Sequence, residues 1–145
     1  VDLPALAHEL GALTGLPVAP QPQTRLKGGS LSQCFAWEAG RQRLFVKVAA
    51  AEGLPALDAE AQGLAELSAT HTVRVPRVLA RGTAGAAAFL ALEWIESGAV
   101  DARCEARLGA GLAALHGHRA ARCGYGQDNF IGATPQDNGW MADWP

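Results

Sequence analysis

The sequence predicts an α+β fold, a small antiparallel sheet with one long helix packed against it. Three observations point there. Leu44-Phe45-Val46-Lys47-Val48 follows a glycine turn at Gly40 and concentrates aromatic and β-branched residues, as strands do. The apolar spacing then lengthens across residues 53–69, where Leu54, Leu57, Ala61, Leu64 and Leu67 define one helical face. Two short strand candidates and a second helix-periodic stretch complete the order. The 145 residues, 49% hydrophobic and only 18% charged, suffice for a packed core and argue against charge-driven disorder.

The elements follow in chain order. Leu3, Leu6, Leu10 and Leu13 recur every three or four residues, the spacing of a short amphipathic helix that Gly15 and Pro17 end. Residues 17–25 hold three prolines and few apolar side chains, so they read as an extended connection. Gly28-Gly29-Ser30 separates Leu26-Lys27 from Cys34-Phe35-Ala36-Trp37-Glu38, a weak hairpin signal. After the long helix, Val73, Val75 and Val78-Leu79 flank Pro76, which predicts a turn into a strand near 77–81. Residues 82–85 read as a hairpin connection and residues 87–93 as another strand. From Asp101, the positions of Cys104, Leu108, Leu112 and Leu115 describe the second long helix. Residues 123–145 are rich in Gly, Asn, Asp, Pro and Trp without usable periodicity, so an irregular tail is expected. That leaves one helix and the tail to cover the second face of the sheet, and the architecture is expected to be incomplete.

Composition narrows the function classes. Twelve Lys plus Arg against fourteen Asp plus Glu leave a net charge of −2, which gives no reason for a broad nucleic-acid face. Cys34, Cys104 and Cys123 are an odd, widely spaced set; free thiols in a reducing compartment are expected. The longest apolar stretch, residues 82–92, is too short to cross a bilayer as a helix. The start, Val-Asp-Leu-Pro, lacks the basic and apolar regions of a signal peptide. A cytoplasmic protein with no membrane partner is the expectation.

Two charges carry the chemistry. In the 43–48 strand, Arg43, Phe45 and Lys47 share one face. With Leu57 set at zero on a wheel of about 100° per residue, Glu60 falls near −60°, between Leu64 near −20° and Leu67 near −80°. A carboxylate on a packing face needs a partner, and Lys47 is the natural one. Otherwise Lys47 reaches past the sheet edge into water and Glu60 leaves at the helix margin. A lysine so held would meet a polyanion as a fixed point charge. Gly28 and Gly29 would let backbone N–H groups approach phosphate, with the Ser30 hydroxyl adding a donor. Glu93, Trp94 and Ile95 lie at a strand exit, where backbone groups can meet an adenine edge. His71, His116 and His118, with Asp101 or Asp128, have no metal-ligand spacing, so no metal site is expected. Cys34, just past the glycine turn, reads as a buried thiol.

With these pieces in order, the chain resembles the amino-terminal half of the fructosamine kinase (ketosamine-3-kinase) family, which has the protein-kinase-like, aminoglycoside-phosphotransferase-like fold. The matching stretches are Gly28-Gly29-Ser30-Leu31-Ser32, Leu44-Phe45-Val46-Lys47-Val48 and Ala59-Glu60-Ala61-Gln62-Gly63-Leu64. Val73-Arg74-Val75-Pro76, Phe89-Leu90-Ala91-Leu92-Glu93 and the stretch from Leu108-Gly109 to Leu115-His116 continue the match. The most specific part is residues 124–144, GYGQDNFIGATPQDNGWMADW, which resembles the family's FGxxxDNFIGxxPQxNGWxxDW pattern from its first glycine onward.

The resemblance implies a nucleotide-covering loop at Gly28, Gly29 and Ser30, a phosphate-contacting Lys47 with Glu60 as its helix partner, and a hinge at Glu93, Trp94 and Ile95. It divides the chain into a nucleotide-binding lobe, residues 1–96, and a linking helix with the start of a second lobe, residues 97–145. The activity implied is transfer of the ATP γ-phosphoryl to the 3-hydroxyl of a ketosamine, free or protein-linked, which promotes deglycation. No His-Gly-Asp catalytic loop occurs in this sequence. The catalytic aspartate and the Mg2+ ligands are therefore expected in a second lobe that is missing here, and the chain alone is expected to be inactive. An aminoglycoside- or choline-type small-molecule kinase is the neighbouring alternative. A non-catalytic half-kinase binding module, self-associating through the uncovered face, is the alternative from another class.

Overall fold

The structure, a computed structural model, describes residues 1–27 and 32–143. The first helix, α1 (Leu3–Thr14), begins where the Asp2 carboxylate accepts a hydrogen bond from the Ala5 N–H at 3.0 Å, satisfying one of the amides that a helix start leaves open. It ends at Gly15. The connection that follows is held along the sheet by backbone bonds, Ala19 to Glu38 and Gln23 to Ala36, each 2.9 Å. The indole of Trp37 donates to the Ala19 carbonyl at 2.6 Å. The prolines therefore lie at the margin of the sheet, where a missing N–H costs no ladder bond.

Five strands form one sheet: β1 (Thr24–Leu26), β2 (Gln33–Ala39), β3 (Gln42–Ala50), β4 (Val78–Ala84) and β5 (Ala87–Glu93), in the order β1-β2-β3-β5-β4. Every neighbouring pair is antiparallel. Two of the joining hairpins have two-residue turns that open on a glycine, Gly40 at φ 64° and Gly85 at φ 57°, a conformation that costs other residues steric strain. β5 is an interior strand, between β3 and β4, and is buried on both faces, which explains its unbroken apolar run. A short 3-10 turn, Ala51–Gly53, leads from β3 into the long helix α2 (Leu54–Ala69).

The sheet has a core on each face. On one side Leu44, Val46 and Val48 of β3 and Phe89 of β5 pack with Trp37 and with Leu6 and Leu10 of α1. On the other, Leu57 and Ala61 of α2 pack on Ala88, Leu90 and Leu92, with Phe45 and Ala49 beside them. This corrects the expectation that only the second long helix and the tail could cover the remaining face. α1 covers it: it lies against β4, and its Leu6 and Leu10 enter the same core as Leu44, Val46 and Val48 of β3.

The second long helix, α3 (Ala102–His116), forms as its spacing predicts, with Asp101 as N-cap accepting from the Cys104 N–H at 2.7 Å. It buries none of its residues, and Leu108 and Leu112 are 58% and 40% exposed. Its near approach to the rest of the chain is at Gly111, where a Cβ would stand 2.9 Å from the Thr72 carbonyl oxygen.

The tail is not irregular throughout. β6 (Cys123–Gly124) pairs with β9 (Trp140–Met141), and β7 (Asn129–Ile131) pairs with β8 (Thr134–Gln136). Asn138 braces the two ribbons. Its N–H donates to Asp128 at 2.7 Å, and its amide donates to the Gln127 carbonyl at 2.9 Å and to Asn129 at 3.0 Å. Side-chain-to-backbone bonds of this kind order a segment without apolar periodicity, which is why spacing alone missed it.

Candidate functional site

β3 alternation turns Lys47 to the α2 side, between Phe45 and Ala49, and the helical period turns Glu60 back towards the sheet. Their side chains form an ion pair. Both are partly covered, at 23% and 33% side-chain exposure, so the pair is screened less than a surface bridge but avoids the full penalty of burial. Cys34 of β2 lies directly across from Lys47 in register and is buried.

The pair lines a cleft of about 650 Å³. Ser32, the start of α2 and the β7–β8 ribbon, through Asn129, Phe130 and Gly132, form its other walls. The expected loop residues Gly28, Gly29 and Ser30 lie outside the described residues; Ser32 is the next described position after them. That this ribbon forms a wall escaped sequence reasoning; its advance signals were the dense Asn-Asp-Gly composition of residues 127–139 and their place in the stretch that resembles the family pattern. Lys47, Ser32 and the Asn129 side chain bring a cation and neutral polar groups to one concave surface, a donor set suited to phosphate oxygens. The same walls carry the carboxylates of Glu52 and Glu60, the second paired with Lys47. Among the described residues there is no group of three or more His, Cys, Asp or Glu that could hold a metal ion.

At the end of β5 the three hinge candidates separate. The Glu93 N–H donates to the Arg77 carbonyl at 2.8 Å. Its carboxylate accepts from Arg74 at 2.9 Å and from the Arg77 N–H and guanidinium, each at 3.3 Å. The Arg77 backbone N–H first, and then the Arg74 guanidinium, hold this carboxyl below its ordinary range. The Glu93 side chain is thus engaged with the segment entering β4. Trp94 and Ile95 leave the ladder and are partly buried. The Arg43 guanidinium covers the Trp94 ring, 4.5 Å from its centroid, and pairs with Glu96. This clamp joins β3 to the strand exit, and the alternation of β3 had placed Arg43 on the Lys47 face without naming its partner.

A second cavity, about 430 Å³, lies between the last turns of α2 and residues 125–129. There the Tyr125 hydroxyl donates to Glu66 at 2.7 Å, and the Gln62 amide donates to the same oxygen at 3.0 Å. The bond to Glu66, then partial burial and the Glu66 charge, raise the Tyr125 pKa above its ordinary value. Among the described residues Cys34, Cys104 and Cys123 form no disulfide. Among the described residues no helix is long and apolar enough to cross a membrane.

The comparisons with known proteins agree on one family. The model for the family "Fructosamine kinase" matches residues 3–145. A Synechocystis protein described as a probable ketoamine kinase is 38% identical over 140 residues, covering 96% of this chain and 48% of its own. A rice protein described as a chloroplastic protein-ribulosamine 3-kinase is 37% identical over 124 residues, 81% of this chain and 35% of its own. The solved structure of a Haemophilus somnus protein assigned as a fructosamine-3-kinase superposes with a TM-score of 0.85 at 23% identity, covering 96% of this chain and 48% of the other. The chain thus spans about half the length, or less, of these relatives. The likeness in fold and the family match across nearly every residue place it among kinase-like proteins, and the chain belongs to the fructosamine kinase family.

Proposed function

We propose that this chain is the nucleotide-binding half of an ATP-dependent ketosamine-3-kinase, a cytoplasmic enzyme that phosphorylates the 3-hydroxyl of fructosamine or ribulosamine adducts and so promotes deglycation. The observation that carries the reading is the Lys47–Glu60 pair on the wall of the cleft. Lys47 presents a compact charge to phosphate oxygens, and Glu60 keeps the flexible four-carbon stem in one orientation. When bound, ATP supplies the phosphoryl group that is transferred. Gly28, Gly29 and Ser30 would cover the phosphates, and the free backbone groups of Trp94 and Ile95 would meet the base, with Glu93 fixing the strand exit. Residues 1–96 form the nucleotide lobe in this reading, and residues 97–145 the link to a second lobe. The catalytic aspartate and magnesium ligands belong to that second lobe, so this chain by itself is inactive.

The test uses the full-length protein with fructoselysine, an aminoglycoside and choline as competing acceptors. Phosphorylated fructoselysine is the expected product. Lys47→Ala is expected to lower kcat/KM by on the order of 100-fold, the scale of losing one electrostatic contact to a transferring group. Unchanged turnover in that variant overturns the role of Lys47, and exclusive phosphorylation of another acceptor overturns the substrate. A second reading, a half-kinase interaction module, is favoured by the exposed leucines of α3.

A further inference from the structure

We propose that Tyr125 is a positioning residue: by bonding Glu66 it fixes the tail segment along α2 and thereby sets the orientation of Glu60 against Lys47. The inference rests on the nucleotide-site reading above. Its physical basis is the path of residues 125–133 beside the helix. That segment faces the last turns of α2 across one cavity, where Tyr125, Gln127 and Asp128 oppose Gln62, Glu66 and Thr70. It faces the first turns across the other, where Phe130 and Gly132 oppose Ala56 and Glu60. Asn129 lines both cavities. One segment therefore bounds the helix over most of its length.

Among the described residues, the Tyr125–Glu66 bond is the hydrogen bond that ties this segment to α2. It is charge-assisted, and a bond to an ionised acceptor is about twice as strong as a neutral one. Gln62 donates to the same Glu66 oxygen and fixes its rotamer. Glu66 and Glu60 are six residues apart, roughly 9 Å along the axis, so a shift or rotation of α2 at Glu66 reaches Glu60 through a rigid element. Asn138 holds the middle of the segment through Gln127, Asp128 and Asn129. A phenyl ring alone at this position would fill space but leave Glu66 without that donor.

The experiment measures binding of AMP-PNP to the full-length protein by titration calorimetry, for Tyr125→Phe, Glu66→Ala, Glu66→Gln and each in a Glu60→Ala background. Tyr125→Phe and Glu66→Ala are expected to weaken binding about three- to tenfold. Glu66→Gln, which keeps an acceptor oxygen, is expected to retain most of the affinity. In the Glu60→Ala background Tyr125→Phe is expected to change nothing more, because the pair it positions is already gone. An equal loss in both backgrounds, or no loss in either, overturns the inference. Lys47→Ala serves as the separate control: if it leaves AMP-PNP affinity intact, the nucleotide-site reading itself fails.

Discussion

Glu93 occupies the last position of β5, and its carboxylate ties that strand to the segment entering β4 through Arg74 and Arg77. Because the folded carboxyl titrates below its ordinary range, the unfolded chain binds this proton more readily. The stabilisation is complete above the ordinary carboxylate value and is lost as the pH falls through the lower folded one. Thermal midpoints measured across that window are expected to fall further for the native protein than for Glu93→Gln; parallel curves would remove this carboxylate from the acid response. At the same scale, Glu60 was legible because a carboxylate between two leucines on a wheel demands a partner. Glu66 was not. It falls near 180° on that wheel, opposite the packed face, where a charge ordinarily meets water, and its partner Tyr125 lies 59 residues away in sequence.

α1 and the sheet show how elements find each other. Both apolar patterns were readable, a spacing of three and four in one and two in the other, but neither states which face of which element it will meet. The outcome is that Leu10, fully buried, seals the sheet face opposite α2. Leu10→Ala is expected to cost about 2–5 kcal/mol, the range for a buried leucine whose cavity collapses only in part, measured as a shift in urea midpoint at constant m-value. A loss under about 1 kcal/mol would mean that α1 is not integral to the core. The ribbons of residues 123–141 mark the opposite limit. Their order comes from Asn138 and three specific bonds, and no periodicity in the sequence encodes such a brace.

On the scale of the molecule, the sheet and its two helices close on themselves while α3 does not. Leu108 and Leu112 of α3 are exposed, as are Ile131, Trp140 and Met141 of the ribbons, and apolar surface left open favours association. Residues 1–145 prepared alone are expected to self-associate and to bind a hydrophobic dye, and Leu108→Ser with Leu112→Ser is expected to reduce both. A clean monomer by light scattering, silent towards the dye, would contradict this. What lies between α3 and the rest is thin: at Gly111 the helix backbone nearly touches the Thr72 carbonyl, and Val73 stands 3.0 Å from where a methyl would project. Such a seat resembles a ball resting in a shallow socket. A methyl at Gly111 would press on that carbonyl, so the spacing between α3 and residues 72–73 is set at a place with no side chain of its own.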